Sequence, residues 1–324
     1  MADSDPIEHK PLWRLNDVTL RGVGRARLDR VSLEIRTGST AVIGYSGAGK
    51  TSLLNLLVEF ERSDGGVIEF VQPPNRSRLP LFWVPQTDGM WPHITVVEHV
   101  TTVLPKAAST TAASDLLSAF DLSSLRDARP DRLSQGERSR VAVARALASH
   151  AAVLVMDEPL AHVDPARVGT YWNVVRDHCR VTATSLVLAT HSPEVVLREA
   201  EHVVCLNDGH VVFAGAVADL YLRPPSAELA RFLGPVNWFS PDEAAAWLEK
   251  SVTSDICLRP ERLSISHSPA GHHVVRSSRF SGSVAEVELA DERASRIKTL
   301  YHRPSGDDLN PGDRVVVRGA GIST

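Results

Sequence analysis

The 324-residue chain is 43% hydrophobic and 23% charged with a formal net charge of −4, an ordinary globular composition that gives no general attraction to nucleic acid or anionic lipid. Its three cysteines, Cys179, Cys205 and Cys257, are odd in number and scattered, so neither a disulfide framework nor a metal-binding spacing follows, and a reducing compartment fits. No apolar run approaches the roughly 20 residues needed to cross a bilayer, and residues 1–11 are polar and acidic, unlike a signal peptide, so the chain is not expected to form a membrane channel.

Residues 12–33 read as an antiparallel opening that the Asp64-Gly65-Gly66 turn and a strand at 67–71 continue. Residues 39–43 form a short buried strand, and 51–60 an apolar helix. Between them stands Gly44-Tyr45-Ser46-Gly47-Ala48-Gly49-Lys50-Thr51, followed by Ser52. Glycines at this spacing let the backbone wrap with its N–H groups turned inward on a phosphate chain. The following helix adds its positive end. Lys50 then meets the β- and γ-phosphates, and the Thr51 hydroxyl meets Mg²⁺. A plain Gly-rich turn would not require Lys-Thr after its last glycine.

Residues 91–149 are mainly helical and contain Leu133-Ser134-Gln135-Gly136-Glu137-Arg138, ahead of an Ala/Val-rich helix at 141–147. A serine hydroxyl and free N–H groups at a helix start make an anion site, although alone the segment reads equally as an N-cap. The apolar run 151–156 is a buried parallel strand ending in Asp157-Glu158-Pro159. Carboxylates at such a strand end face the crevice where α/β sheets bind ligands. Asp157 is expected to hold Mg²⁺ through its water shell, and Glu158 to polarise an attacking water. The apolar strand 185–188 leads to Ala189-Thr190-His191-Ser192, which puts His191 at a strand end too.

Taken in order, these motifs resemble the ATPase subunits of ABC transporters. The run from Leu133 to Ala148 is similar to that family's signature segment and its helix. The resemblance implies that Ser134, Gln135 and Gly136 cover the γ-phosphate of an ATP held by a second copy of the chain. It implies that Gln86, in Trp83-Val84-Pro85-Gln86, senses Mg²⁺ and the attacking water. It places Leu160-Ala161-His162-Val163-Asp164 across the dimer interface, with Asp164 near the nucleotide, and makes His191 the switch histidine on the γ-phosphate. The catalytic set is therefore Glu158, His191 and Gln86. The nucleotide set is Gly44, Ser46, Gly47, Ala48, Gly49, Lys50, Thr51, Ser52, Ser134, Gln135, Gly136 and Asp164, and the metal set is Thr51, Gln86 and Asp157.

Two departures stand out. The family carries an adenine-stacking aromatic where this chain has Thr19-Leu20-Arg21-Gly22-Val23-Gly24, so Arg21, or a ring such as Trp13, is the expected substitute. The signature has Gln135 where Gly is usual and Glu137 where Gln is usual, and neither change removes a catalytic group.

After Leu222-Arg223-Pro224-Pro225 the character changes. The segment 228–237 and Leu258-Arg259-Pro260-Glu261 resemble the junction and a mark of the TOBE domain, the small OB-like barrel of importer-type ATPases. An unrelated β module used for dimerisation is the competing reading of this tail. Residues 282–289 alternate as a half-buried strand, and Asn310-Pro311-Gly312-Asp313 turns into a last strand at 314–317. The tail is shortened, with a helical stretch at 241–250. Trp238-Phe239 reads as junction packing and His272-His273 as surface or packing residues. The tail lacks a series of rings on which bases could stack, so no nucleic-acid role is expected.

The sequence thus implies an α/β fold: a P-loop NTPase of the ABC ATPase type over 12–233, with a helical subdomain at about 91–149, followed by a small all-β OB-like TOBE domain over 234–324. The function implied is ATP hydrolysis with Mg²⁺ that powers solute import, for an inorganic ion, polyamine or similar solute. The partners implied are a second copy, transmembrane permease subunits and, indirectly, a solute-binding protein. The location implied is peripheral, on the cytoplasmic face of the plasma membrane. A soluble ABC ATPase of DNA repair or translation is the alternative.

Overall fold

The computed structural model describes residues 10–71, 78–109, 111–292, 296–304 and 308–321, so the polar stretch 1–9 lies outside the described residues. The chain divides into two compact units, 1–217 and 218–324.

The first unit opens with β1 (Pro11–Arg21) and β2 (Ala26–Arg36), which pair antiparallel, and β4 (Gly65–Phe70) adds to the other side of β1. Alternation along β1 turns Trp13 and Leu15 to the core, and an irregularity around Asp17 (φ 50°) resets the register so that Val18 and Leu20 follow them inward. β3 (Ser39–Gly44) belongs to a second sheet with β5 (Leu81–Val84), β6 (Val153–Asp157), β7 (Ser185–Ala189), β8 (His202–Asn207) and β9 (His210–Ala216). Its order is β5-β6-β7-β3-β8-β9, parallel throughout except for β9. All five residues of β6 and of β7 are buried, as continuous apolar runs in a parallel sheet must be. Helix α1 (Lys50–Leu57) buries Leu53, Leu54, Leu56 and Leu57 in one core with both sheets.

Strand order is what builds the site. β7 lies between β3 and β6, so the C-terminal ends of three consecutive strands in the sheet carry Gly44, Asp157 and Ala189 side by side. Between β5 and β6, which pair directly, the chain makes its helical excursion: α2 (Val96–Thr101), α3 (Ala112–Ala119), two 3-10 turns and α4 (Gln135–Ala148). The excursion is followed after β6 by α5 (Pro165–Thr182) and after β7 by α6 (Pro193–Glu199).

The sequence changes character after residues 222–225 and its second domain is expected from 234, whereas the division into compact units falls at 217/218, at the start of α7 (Val217–Leu222) and ahead of α8 (Ala227–Arg231). Arg259 supplies a physical reason. Its Nε donates to the Tyr221 carbonyl at 2.9 Å, its Nη1 donates to the Gly234 and Pro235 carbonyls at 3.3 Å, and its guanidinium lies 4.2 Å from the Tyr221 ring centroid. The Tyr221 hydroxyl donates to Glu261, so the Leu-Arg-Pro-Glu segment binds 221–235 into the second unit.

In that unit β10 (Asn237–Phe239) pairs with β11 (Ile256–Leu258), and α9 (Pro241–Leu248) fills the expected helical stretch. The strands β12 (Leu263–His267), β13 (His273–Ser281), β14 (Val284–Asp291), β15 (Arg296–His302) and β16 (Arg314–Gly319) form one antiparallel sheet in the order β12-β16-β13-β14-β15. Its edge strands β12 and β15 approach each other, so the sheet curls as an OB-like barrel does. Phe239 and Trp247 pack in its core with Val287, Leu289 and Leu300. His273 is also buried there, stacked 4.8 Å from Trp247, which agrees with a packing role.

Candidate active site

The loop from Gly44 to Lys50 can take its path only with glycine at key points. Gly44 has φ 155°, and a Cβ there would run into the Leu206 carbonyl. Gly49 has φ 106° and is the N-cap of α1, where a Cβ would lie 2.6 Å from the Arg27 carbonyl. Ser46 and Gly47 are exposed, while Ala48 and Ser52 are buried and hold the loop to the core. Lys50 Nζ donates to the Gly44 and Tyr45 carbonyls at 2.8 and 3.2 Å. The amine is thus folded back over the cradle, where phosphate oxygens would replace those carbonyls.

The Thr51 hydroxyl donates to Asp157 Oδ2 at 2.6 Å. Asp157 is 3% exposed, and burial pushes its carboxyl above the ordinary carboxylate range. The Thr51 hydrogen bond opposes that rise, the neighbouring Glu158 charge adds to it, and Lys50 opposes it. A hydroxyl and a desolvated carboxylate in contact form a hard, all-oxygen donor set. Such a set suits Mg²⁺ bound mainly through water and phosphate.

Glu158 adopts φ 50°, an uncommon backbone for a non-glycine residue, and its N–H donates to the Ala189 carbonyl at 3.0 Å. Its carboxylate lies 2.9 Å from His191 Nδ1, joining the ends of β6 and β7. The Glu158 side chain is 13% exposed and that of His191 74%, so the pair has a sheltered acid and an open ring. A carboxylate that orients an imidazole whose other nitrogen faces outward is an acid–base arrangement.

The signature segment stands apart from this group. Ser134 is the N-cap of α4, and with Glu137 it closes a full capping box. Glu137 Oε2 accepts from the Ser134 N–H at 2.7 Å and the Ser134 hydroxyl at 2.8 Å. These bonds pull the Glu137 carboxyl below its ordinary range. Gln135 is exposed. Gly136 lies against the 160–164 loop, where a Cβ would be 2.6 Å from the His162 carbonyl. The Ser139 hydroxyl accepts from the Leu160 N–H at 3.0 Å, a second tie to that loop. Asp164 caps α5 by accepting from the Ala166 N–H at 2.9 Å.

Gln86 is exposed, and among the described residues no side-chain hydrogen bond joins it to Thr51, Asp157 or Glu158. Its loop is nonetheless held. Arg145 on α4, 3% exposed, donates to the Asp88 and Gly89 carbonyls at 2.8 Å and lies over the rings of Phe82 and Trp91. Sequence reasoning passes over Arg145 because it sits inside a helix that reads simply as Ala/Val-rich.

The expected base platform is corrected in part. Trp13 is fully buried, stacked on Phe70 and donating its Nε1 to the Leu57 carbonyl, so it cannot meet a base. The arginine that reaches the phosphate loop is Arg25, whose Nη1 pairs with Asp208 at 2.7 Å and whose Nη2 lies 3.5 Å from the Gly47 carbonyl. Arg21 uses its backbone instead, with its N–H on Asp64 and its carbonyl accepting from Arg27.

Residues 28–161 match the family model described as ABC transporter. The ferric-ion import ATP-binding protein FbpC 1 of Rhodococcus jostii is 30% identical over 331 residues, covering 91% of this chain and 93% of that protein. The chain belongs to the ABC transporter ATP-binding family. The sulfate/thiosulfate import ATP-binding protein CysA of Gloeobacter violaceus is 32% identical, covering 89% of this chain and 88% of its own length. The spermidine/putrescine import ATP-binding protein PotA of Nitratidesulfovibrio vulgaris is 28% identical across 93% of this chain and 95% of its own. A dimeric ATP-binding cassette solved in a post-hydrolysis state with ADP and phosphate matches at TM-score 0.56 and 23% identity, covering 63% of this chain and 98% of that one. That likeness concerns the fold of the ABC ATPase.

Proposed function

We propose that this ABC ATPase is the ATP-hydrolysing subunit of a solute importer, acting as a head-to-tail pair of copies on two ATP molecules. The observation that carries the reading is the Glu158–His191 hydrogen bond on adjacent strand ends, next to the Thr51–Asp157 pair and the glycine cradle. In this reading Lys50 leaves the loop carbonyls for the β- and γ-phosphates, among the N–H groups of 44–52. Thr51 and Asp157 hold Mg²⁺, with Gln86 completing its surroundings. The metal supplies charge neutralisation on the phosphates. Glu158 orients the attacking water and takes its proton, and His191 keeps Glu158 aimed while its open nitrogen faces the γ-phosphate.

Ser134, Gln135 and Gly136 of one copy close over the ATP of the other, and Asp164 lies at the same interface. ATP binds the closed pair best and so shifts the population towards closure. A separate permease, docked around 86–100, converts closure and reopening into alternating access, fed by a solute-binding protein. The chain then sits peripherally on the cytoplasmic face of the plasma membrane. Among the described residues no helix is long and apolar enough to cross a membrane.

The relatives are named for spermidine/putrescine, ferric ions and sulfate/thiosulfate, which supports an inorganic ion or polyamine as cargo. The curled second unit is read as a TOBE-like regulatory or pairing domain. A DNA-repair or translation ATPase is set aside, because relatives aligned over about nine-tenths of the chain are named as import subunits.

Glu158→Gln tests the reading. Turnover should fall roughly 100-fold or more, the usual scale for losing a general base, with ATP affinity kept and a dimer accumulating on size exclusion. Lys50→Ala should lose ATP affinity in calorimetry and form no dimer. Hydrolysis by Glu158→Gln at the wild-type rate would overturn the assignment.

A further inference from the structure

The loop that carries Gln86 is held at its far end by a histidine that the catalytic reading does not use. His99 lies within α2, is fully buried, and its ring stands 5.7 Å from that of Trp91. The Trp91 N–H donates to His99 Nε2 at 2.9 Å. A backbone N–H can only donate, so Nε2 is bare. The ring proton is therefore on Nδ1, which donates to the Thr95 carbonyl at 2.8 Å. One neutral tautomer satisfies both bonds, and the Thr95–Glu98 capping box fixes the start of the helix that presents the ring.

Between Gln86 and Trp91 the chain has little freedom. The Asp88 N–H donates to the Pro85 carbonyl at 2.9 Å and closes a turn over Gln86. Asp88 and Gly89 both take positive φ, 63° and 58°. Arg145 holds the carbonyls of both and faces the Trp91 ring. His99 thus fixes the end of a short, tied segment, and a shift at Trp91 is passed back to Gln86. A histidine that only filled the core would leave the loop indifferent to its charge. This one accepts a hydrogen bond that a second ring proton abolishes, because Nε2–H would then face the Trp91 N–H, donor against donor.

We propose that His99 is a positioning residue for ATP hydrolysis: its neutral ring latches the Gln86 loop through the Trp91 N–H, and protonation opens the latch and lowers turnover. The surroundings keep the latch shut at neutral pH. Burial above all disfavours charge on the ring, and the Thr95 carbonyl works the other way. Arg145 from α4 adds to the effect of burial, Glu98 from α2 opposes it, and His93 from the preceding loop adds to it. The ring therefore protonates on the acid side of 6.5. The effect on turnover rests on the role proposed for Gln86, but the latch does not.

The test uses the full chain, ¹⁵N-labelled at histidine, with the His99 ring signals assigned by their loss in the His99 variants. At pH 7.5 Nδ1 should carry the proton and Nε2 should be bare, and the ring should titrate below 6.5. His99→Gln can set an amide oxygen where Nε2 stands without titrating, and should keep wild-type kcat at pH 7.5. Its kcat should fall less than that of the wild type between pH 7.5 and 5.5, a difference from which the histidines common to both proteins cancel. His99→Asn shortens the side chain so that it no longer reaches Trp91. It should lower kcat roughly 2- to 10-fold at pH 7.5, the scale of one buried hydrogen bond, with KM for ATP unchanged because the phosphate cradle is untouched. An Nε2-protonated ring, or one that titrates at or above 6.5, overturns the latch. Wild-type kcat in His99→Asn, or parallel acid losses in the wild type and His99→Gln, overturns the positioning role. Wild-type kcat in Gln86→Ala would instead fail the role of Gln86, and the ring titration would still decide the latch.

Discussion

The Ser134 hydroxyl donates to the Glu137 carboxylate across 2.8 Å, so the serine expected to meet a phosphate is engaged with an anion of its own chain. Glu137 also accepts from the Ser134 N–H, and both bonds hold it in its charged form at neutral pH. A glutamine would cap the same helix without placing a negative charge where a second copy's γ-phosphate should come. Glu137→Gln should therefore lower the protein concentration at which ATPase activity is half-maximal, by roughly 2- to 5-fold for a charge effect of about 0.5–1 kcal/mol at a helix end. The check is specific activity against protein concentration. The same or a higher midpoint in the variant would show that Glu137 does not oppose pairing.

That bond also separates what can be read from residues from what cannot. Serine followed three residues later by glutamate is a capping box, and it is visible in Ser134-Gln135-Gly136-Glu137. Read as a signature variant, however, Glu137 looks neutral, because its effect depends on which oxygen it holds. Phosphate-loop glycines, strand-end carboxylates and His191 were readable because backbone path and strand order alone bring them together. Arg145 and Arg25 were not, since each acts through carbonyls supplied by segments distant in sequence. The division into units at 217/218, ahead of the expected boundary at 233/234, has a similar origin. Arg259 reaches back to carbonyls at 221, 234 and 235, and no composition change marks a contact of that kind.

Arg145 joins the signature helix to the loop after Gln86, and this too can be measured. Its guanidinium is buried, and burial lowers its pKa, while Asp88 opposes that shift. Arg145→Lys keeps the charge but cannot serve both the Asp88 and Gly89 carbonyls with one planar fork. It should reduce kcat several-fold with nucleotide affinity unchanged, because the loop of Gln86 is loosened and the phosphate cradle is not. Arg145→Ala should lose stability as well, by about 1–3 kcal/mol for two part-buried, charge-assisted hydrogen bonds removed. Turnover with titrated ATP and thermal melts separate the two effects. Unaltered kcat in Arg145→Lys would mean the loop needs no brace.

A pH dependence follows from His178. Burial, with His150 and Arg78 beside it, pushes its pKa down to about 4. The folded state therefore keeps His178 neutral at pH values where the unfolded chain, near 6.5, takes up a proton. Below 6.5 the unfolded state binds more protons, so stability falls with pH through the window from 6.5 to about 4. His178→Gln removes the titrating group. The wild type should lose more melting temperature than His178→Gln between pH 7.5 and 4.5. Parallel losses in the two proteins would show that His178 is protonated in the fold.

Nucleobase preference should be weak, and Arg25 should govern what remains of it. The aromatic ring common at this point in the family is missing, and Trp13 is sealed in the core. Arg25, anchored by Asp208, is a planar cation that reaches the phosphate loop at the Gly47 carbonyl. A guanidinium stacks on either purine, and such contacts contribute about 0.5–1 kcal/mol at exposed sites. Arg25→Ala should thus weaken ATP and GTP alike by roughly 2- to 5-fold. Arg25→Tyr should strengthen both, since stacking on an aromatic ring is worth about 1–3 kcal/mol per base. Competition of GTP against labelled ATP gives the numbers for all three proteins. A wild-type preference for ATP above about 20-fold, or Arg25→Ala affinities equal to wild type, would mean that Arg25 does not touch the base and that the anchored guanidinium serves only to brace the loop at Gly47.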